Sequence, residues 1–239
     1  MATFVLVHGG GHGGWCYEKV ARLLRRAGHD VYTPTLTGLG ERKHLLGADT
    51  DLSTHITDIV NTLIYEDLHD VILVGHSYGG MVITGVADRQ ADRIRELVYL
   101  DAAHPADGQS LVDTAPGPMA FARSSSQIVD GIELVMWPND EMVAAMGASD
   151  PEDVAVLRAK MLPHPWKAFA EPLRFLNGDA ALRLPRTNIN CTASLRNSSD
   201  ADRAKQLAGR RNYEIDTGHD LMITEPVKVT DMLLEVASA

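Results

Sequence analysis

Short runs of valine, isoleucine and leucine alternate along the chain with longer amphipathic stretches. Continuous apolar runs of this kind are typical of strands buried on both faces of a parallel sheet, and the amphipathic stretches are typical of the helices that connect such strands. The pattern therefore predicts an α/β protein with a mostly parallel sheet flanked by helices. The predicted strands are 4–7, 31–33, 71–74, 97–100, 188–192 and 213–215, and the predicted helices are 15–27, 54–65, 79–89, 202–208 and 226–236.

The segment 104–185 breaks this alternation, because it contains frequent prolines and no convincing strand pattern. We interpret it as a helical cap insert above the carboxyl ends of the strands, where open α/β sheets bind ligands. Residues 1–103 and 186–239 would then form the core. The large apolar side chains of the insert either pack against this core or line a substrate pocket. The pocket interpretation covers Met119, Phe121, Trp137, Met161 and Trp166.

Composition and charge narrow the classes of function. The 239 residues, 45% hydrophobic and 23% charged, can bury a full globular core. A net charge of -10 disfavours nucleic acid or an anionic membrane as a partner. The start of the sequence has no basic region, no apolar run is long enough to span a bilayer, and Cys16 and Cys191 are the two cysteines. We therefore expect a cytoplasmic protein with reduced thiols.

A candidate nucleophile follows the third predicted strand. The stretch Gly75-His76-Ser77-Tyr78-Gly79 matches G-x-S-x-G between a predicted strand and a predicted helix. Such a sharp turn strains the serine backbone and needs glycines where neighbouring backbones crowd. It also presents the hydroxyl at a helix N-terminus, which favours developing negative charge. Ser77 is thus predicted to be a nucleophile, and the alternative is a helix-capping serine without chemistry.

A glycine-rich turn follows the first predicted strand, from Gly9 to Gly14. Such a turn exposes backbone N–H groups, and the N–H of Gly10 together with that of Tyr78 could form an oxyanion hole. The same glycines fit the nucleotide-binding pattern G-x-G-x-x-G, but that pattern is weak alone and Asp30 opens the next strand instead of ending it. His8 and His12 lie on this loop and not on a helix, so we expect them to stabilise the turn and not to bind a metal.

His219 is the candidate base. It follows the last predicted strand and precedes the closing helix, which fits the chain order of serine, acid and histidine. A histidine in this place can take the serine proton and return it to a leaving group. The remaining histidines in polar settings are expected at the surface, namely His29, His44, His55, His69, His104 and His164.

Three stretches together resemble α/β-hydrolases: the turn around Ser77, the opening stretch 8–15 (HGGGHGGW) and the closing stretch 217–222 (TGHDLM). The resemblance is to the small-esterase branch that includes plant methylesterases and hydroxynitrile lyases, and among bacterial members to the carboxylesterase and carbamate-esterase type. It implies a Ser-His-acid triad, a helical cap and no cofactor or metal. The partner would be a small-molecule ester or carbamate, and a homodimer is left open.

The triad acid is the point at which the chain departs from this pattern. The family usually places it after the strand predicted at 188–192, where the sequence has no carboxylate until Asp200. Asp200 or Asp202 could reach inward from a longer loop. Alternatively Asp101, at the end of the strand 97–100, could meet His219 from the other side, as in some haloalkane dehalogenases that share the fold. We favour Asp101, whose alternative role is to accept hydrogen bonds from backbone in the turn before Pro105.

These residues predict a serine hydrolase that cleaves a small, fairly apolar carboxylic ester or carbamate ester through an acyl-enzyme on Ser77. A lyase is disfavoured, because the hydroxynitrile lyases of this branch carry threonine where Gly9 stands. Dehalogenation would need a carboxylate at Ser77. A cofactor-free dioxygenase stays open, as does a ligand-binding protein that has lost turnover, which the missing acid would explain.

Overall fold

The central sheet of the protein contains six parallel strands. The computed structural model describes residues 1–238, and the order of strands in the central sheet is β2-β1-β3-β4-β8-β9. The strands are β1 (Thr3–Val7), β2 (Asp30–Tyr32), β3 (Val71–His76), β4 (Ile94–Leu100), β5 (Ser126–Val129), β6 (Ile132–Val135), β7 (His164–Pro165), β8 (Arg186–Cys191) and β9 (Arg211–Ile215).

Helices connect and cover these strands. Short 3-10 helices occupy Gly14–Tyr17, Gly40–Leu45 and Ala91–Arg93. The α-helices are α1 (Glu18–Arg26), α2 (Leu52–Tyr65), α3 (Gly79–Gln90), α4 (Leu111–Thr114), α5 (Pro116–Ser124), α6 (Asp140–Ala145), α7 (Pro151–Lys160), α8 (Trp166–Ala170), α9 (Ala180–Arg183), α10 (Thr192–Asn197), α11 (Asp200–Gln206), α12 (Leu221–Thr224) and α13 (Pro226–Ala237).

The parallel sheet confirms the α/β prediction. Every residue of β3 is buried, because β1 and β4 pair with it on either side and helices cover both faces of the sheet. The predicted strands and helices all occur, with bounds that differ by a few residues. For example, α2 begins at Leu52 because Asp51 and Thr54 form a reciprocal capping box in front of it. Within residues 1–238, no helix combines the length and the apolar character needed to cross a bilayer.

The insert contains a sheet that the sequence pattern did not reveal. Strands β5, β6 and β7 form a three-stranded antiparallel sheet inside 104–185, so the prediction of a segment without strands is wrong. The hairpin between β5 and β6 turns at Asp130 and Gly131, whose φ angles are 50° and 80°. An Asp-Gly pair with both φ angles positive is a typical two-residue hairpin turn. The strands themselves lack apolar alternation, and Ile128 is 78% exposed.

The insert contributes no strand to the central sheet, whose six strands all come from outside 104–185. That residues 104–185 form a cap unit separate from the core stays a prediction. The insert touches the loop before α12 very closely, because a Cβ atom on either Gly147 or Gly218 would collide with the backbone of the other. The backbone N–H of Asp220 also donates to the Met146 carbonyl, at 3.0 Å. These contacts join the insert to the loop that carries His219.

Candidate active site

Ser77 lies at the turn between β3 and α3 with a φ of 53°. The other non-glycine residues of positive φ in 1–238 are all aspartates, which tolerate this region better than serine does. A strained serine of this kind costs about 1–3 kcal/mol and persists only where the surroundings impose it. The turn needs glycines on both sides: a Cβ on Gly75 would lie 2.6 Å from the Gly79 carbonyl oxygen, and one on Gly79 would lie 2.7 Å from the Val7 carbonyl oxygen.

A continuous line of hydrogen bonds joins Ser77, His219 and Asp101. The Ser77 hydroxyl donates to Nε2 of His219 at 2.8 Å, and Nδ1–H of His219 donates to Oδ2 of Asp101 at 2.6 Å. Asp101 follows β4 directly, and the side chain of His219 comes from the loop between β9 and α12. The structure therefore brings together the three residues that the sequence singled out as nucleophile, base and acid.

The carboxylate of Asp101 is fully engaged by its neighbours. The backbone N–H of Cys191 donates to Oδ1 at 3.0 Å, and the Ser194 hydroxyl donates to Oδ2 at 2.7 Å. The Cys191 thiol also lies 3.3 Å from Oδ2. Ser194 stands in α10, directly after β8, which is the place where the resemblance to α/β-hydrolases implies an acid. In place of a carboxylate, the Ser194 hydroxyl lies there and donates a hydrogen bond to Asp101, which follows the neighbouring strand β4.

Asp200 and Asp202, the alternative candidates for the acid, lie in α11. Both lie in the first turn of α11, where acidic residues complement the helix dipole. Asp202 accepts a hydrogen bond from the hydroxyl of Ser199, the residue that caps this helix, at 2.7 Å. The structure therefore assigns the contact with His219 to Asp101 and to neither of these alternatives.

The contact between Asp101 and His219 shifts the pKa of each side chain. Burial alone would lower the pKa of His219, but the hydrogen bond to Asp101 and the negative charge of Asp101 outweigh burial and raise the pKa above 6.5. Burial alone would raise the pKa of Asp101, but the hydrogen bonds from His219, Ser194 and the Cys191 backbone hold it below 3.8. Asp101 is therefore ionised at neutral pH and favours the protonated form of His219.

The glycine loop after β1 is held by histidine side chains. Nδ1–H of His8 donates to the Gly9 carbonyl at 2.8 Å, and Nδ1–H of His12 donates to the Gly10 carbonyl at 2.8 Å. These two contacts confirm that His8 and His12 stabilise the turn. Among residues 1–238, the backbone N–H groups of Gly10 and Tyr78 have no hydrogen-bond acceptor, and both residues line the same cavity as Ser77.

Two histidines that we expected at the surface are completely buried, which corrects that prediction. Nδ1 of His164, from β7 of the insert, accepts a hydrogen bond from the Gly11 N–H at 3.2 Å. His55 accepts a hydrogen bond from the Tyr78 hydroxyl at 2.8 Å and donates to the Thr37 carbonyl at 3.0 Å. Burial lowers the pKa of both histidines, so they act as neutral hydrogen-bonding groups.

A cavity of about 660 Å³ opens above Ser77, and its walls are mainly apolar. Four of the five predicted pocket residues line it, namely Met119, Phe121, Trp137 and Met161. Trp166 does not, which corrects the prediction: its ring packs edge-on against Phe169, at 6.2 Å between centroids, and the Arg123 guanidinium lies over it at 4.7 Å. Phe169, Met142 and Met146 line the cavity as well.

Within 1–238, no group of three or more histidine, cysteine, aspartate or glutamate side chains has an arrangement that could hold a metal ion. Cys16 and Cys191 are both free and buried. Burial raises the pKa of the Cys191 thiol to about 11, so this thiol stays protonated beside Asp101.

A serine at a strained strand-to-helix turn, a histidine hydrogen-bonded to an aspartate and a glycine loop, all at the carboxyl ends of a parallel sheet, are the arrangement typical of a hydrolase-type α/β protein. The chain belongs to the alpha/beta hydrolase family, whose model matches residues 4–232.

Relatives and solved structures give a more detailed comparison. The chain is 57% identical to a carbendazim hydrolyzing esterase from Nocardioides over 131 residues, which cover 55% of this chain and 54% of that protein. It is 30% identical to methyl jasmonate esterase 1 from Vitis vinifera over 175 residues, covering 67% of this chain and 66% of the relative. A crystal structure of a methylesterase from Arabidopsis superposes with a TM-score of 0.79 at 24% identity, over 100% of this chain and 99% of the other. At that identity, the superposition shows the fold alone.

Proposed function

We propose that the protein is a serine hydrolase that cleaves small, fairly apolar carboxylic esters or carbamate esters through an acyl-enzyme on Ser77. The observation that carries the proposal is the unbroken hydrogen-bonded line from the Ser77 hydroxyl through His219 to Asp101. A nucleophile in contact with a base, which is itself oriented by a third group, is the arrangement that activates a serine.

Each residue of the site would act in a defined step of ester hydrolysis. The Ser77 hydroxyl attacks the carbonyl carbon of the ester while Nε2 of His219 takes its proton. The N–H groups of Gly10 and Tyr78, which have no acceptor within residues 1–238, bind the oxyanion that forms. His219 then protonates the leaving alcohol, which leaves the acyl group on Ser77. A water molecule, deprotonated by His219, releases the acyl group, and Asp101 stabilises the imidazolium in both half-reactions.

The walls of the cavity support the choice of substrate. Methionine and aromatic side chains cover the space above Ser77, and its volume of about 660 Å³ lies in the range of small-molecule sites. The names of relatives point the same way, since one is a carbendazim hydrolyzing esterase and another is a methyl jasmonate esterase. Because the alignments cover only 54% and 66% of those two proteins, their substrates serve here as support for a class and not as an identification.

The hypothesis of a binding protein without turnover started from the missing acid. The contact of Asp101 with His219 at 2.6 Å supports hydrolysis instead, because it supplies a carboxylate at the ring nitrogen that needs one. The strained φ of Ser77 supports it too, since a chain free of catalytic demand has little reason to keep such a residue.

The first test uses p-nitrophenyl esters from acetate to octanoate and an N-alkyl p-nitrophenyl carbamate, with Ser77→Ala as the control variant. We expect p-nitrophenol release by the wild-type protein and none above background by Ser77→Ala. A fluorophosphonate should label Ser77 stoichiometrically in the wild type. Equal release by both proteins, or no release together with no labelling, would contradict the proposal.

A further inference from the structure

A second buried carboxylate lies beside His219, and the triad does not use it. Asp220 is completely buried and follows His219 in the chain. Its Oδ2 accepts a hydrogen bond from Nε2–H of His12 at 3.1 Å, and its Oδ1 lies 3.7 Å from Nε2 of His76. His12 is also almost completely buried, with 1% exposure. A buried ionic pair of this kind is a costly arrangement that needs a compensating role or a well-formed geometry.

The hydrogen bonds of His12 define its protonation. Its Nδ1 faces the Gly10 carbonyl at 2.8 Å, which can only accept, so Nδ1 carries a proton. Its Nε2 faces the carboxylate of Asp220, so this nitrogen donates as well. In support, burial alone would lower the pKa of His12, but Asp220 raises it, and His12 in turn lowers the pKa of Asp220 against the effect of burial. The hydrogen bonds and both pKa directions therefore favour an imidazolium paired with a carboxylate.

The pair joins the two loops that flank Ser77. On one side, His12 holds the carbonyl of Gly10, and the backbone N–H of the same residue is the proposed oxyanion donor. On the other side, Asp220 belongs to the loop that carries His219 and donates its backbone N–H to Met146 of the insert at 3.0 Å. His76 adds a third connection, because its Nε2–H donates to the His219 carbonyl at 2.9 Å.

We propose that His12 and Asp220 form a positioning pair, which fixes the distance between the oxyanion donor at Gly10 and the base at His219. The role rests on the proposed hydrolase function, since it concerns the alignment of that reaction. His12 lines the cavity above Ser77 and Asp220 does not, and the proposed role needs no contact of either residue with the substrate. The pair keeps the backbone of Gly10 and the ring of His219 at a fixed distance while the oxyanion and the imidazolium form. A misplacement of about 1 Å in such a site can cost on the order of 10²-fold in rate.

Charged and titratable groups near the pair come from several elements. Asp220 faces His12 and His76, with His219 next to it in the chain. The side chains of Cys16 and Tyr17 lie close enough for the charge of Asp220 to contribute to their raised pKa values, although burial is the main cause in both. Because burial lowers the pKa of His76 to about 3, His76 is neutral. His12 is thus the cation that balances Asp220.

The test compares Asp220→Asn and His12→Gln with their double variant. Asparagine and glutamine keep hydrogen-bonding groups in place while they remove the charges. We expect kcat for p-nitrophenyl butyrate to fall about 10- to 100-fold in each single variant, with KM changed less than about threefold, because alignment in the transition state is lost and not substrate binding. The double variant should lose about as much as the worse single variant, because the pair acts as a unit.

Asp88→Asn is the matched control. Asp88 is a buried aspartate, 2% exposed, at the far end of α3, where it accepts hydrogen bonds from the N–H groups of Leu176 and Asn177. Its substitution should lower the melting temperature and leave kcat per labelled serine unchanged. Titration with a fluorophosphonate gives the concentration of competent Ser77 in every variant, so that a loss of folded protein is not counted as a loss of rate.

The affinity for an alkyl trifluoromethyl ketone separates alignment from general destabilisation. This inhibitor forms an oxyanion on Ser77, so its binding should weaken in proportion to kcat/KM in the pair variants and stay unchanged in Asp88→Asn. If kcat per labelled serine is unchanged in Asp220→Asn and His12→Gln, the pair is structural only and the inference is wrong, while the hydrolase function stands. If wild type neither hydrolyses esters nor reacts with the fluorophosphonate, both fail together.

Discussion

Asp101 and Asp220 are two buried carboxylates near His219, and their surroundings differ. Asp101 comes from the end of the neighbouring strand, and both of its oxygens accept hydrogen bonds, including one from Nδ1 of His219 at 2.6 Å. Asp220 is adjacent to His219 in sequence, yet its hydrogen bond goes to His12. Proximity in sequence to His219, the proposed base, therefore does not make a carboxylate the proposed acid. A carboxylate can act as the acid only if it reaches Nδ1 of His219, as Asp101 does. Whether it reaches this atom depends on the strand or loop that carries the carboxylate.

The largest expected effect comes from removing the charge of Asp101. Asp101→Asn should lower kcat/KM for p-nitrophenyl esters about 10⁴-fold, because the amide favours the wrong tautomer of His219 and leaves the imidazolium unsupported. The loss should exceed that of Asp220→Asn by at least about 100-fold. Comparable losses in the two variants, measured per labelled serine, would remove the distinction between the two carboxylates.

A carboxylate placed just after β8 should restore part of the activity that Asp101→Asn loses. The Ser194 hydroxyl lies 2.7 Å from Oδ2 of Asp101, so an aspartate at position 194 would bring its carboxylate to the same side of His219. We expect the double variant Asp101→Asn/Ser194→Asp to regain about 10²-fold of the rate lost in Asp101→Asn. Ser194→Asn in the same background is the control and should regain nothing. Equal rates for the two double variants would mean that position 194 cannot reach the base.

A smaller effect is expected from the groups that hold Asp101. Ser194→Ala removes one donor to an ionised carboxylate, and we expect about a tenfold lower kcat, in line with the strength of such hydrogen bonds. Cys191→Ala removes only a weak thiol donor at 3.3 Å and should change kcat less than about threefold. The two variants should be compared at one pH under identical labelling. A larger loss of kcat in Cys191→Ala than in Ser194→Ala would show that the Cys191 thiol, and not the Ser194 hydroxyl, holds Asp101 in place.

The pH dependence gives the finest comparison. The base must be neutral, so kcat/KM should fall as the pH drops through the pKa of His219, which lies above 6.5. Asp101 stabilises the imidazolium and so raises this pKa. In the residual activity of Asp101→Asn, the acid limb should therefore move to lower pH. A smaller displacement is expected for Asp220→Asn, since Asp101 has the larger effect on His219. A limb that stays in place in Asp101→Asn would contradict the pairing.

The parts of the molecule with a regular pattern could be predicted from sequence. The continuous apolar runs of the central strands reflect burial on both faces, and this local property also placed Ser77 and His219 at strand ends. Asp101 could be chosen because some haloalkane dehalogenases, which the chain resembles in fold, keep their acid at the end of this strand. The prediction of Ser77 needed the G-x-S-x-G pattern between a strand and a helix, and the prediction of Asp101 also needed the resemblance to α/β-hydrolases.

Other features depend on tertiary contacts that no local pattern contains. His164 looked like a surface histidine, but its ring stacks on Phe169 at 4.2 Å between centroids and accepts a hydrogen bond from the glycine loop. Ser194 carried no sign of its role, because its partner lies on another strand. The hairpin in the insert did carry a signal, the Asp130-Gly131 pair, which the absence of alternation in its exposed strands concealed.

The meeting of Gly147 with Gly218 bears on how the substrate range of this protein could be altered in the laboratory. A library that diversifies the insert would change the pocket walls, but any side chain at position 147 would push against the loop that carries His219. Such clones would score as inactive toward every substrate, whatever the new walls could accept. Keeping glycine at 147 and 218 while neighbouring positions vary would let a screen report on specificity alone.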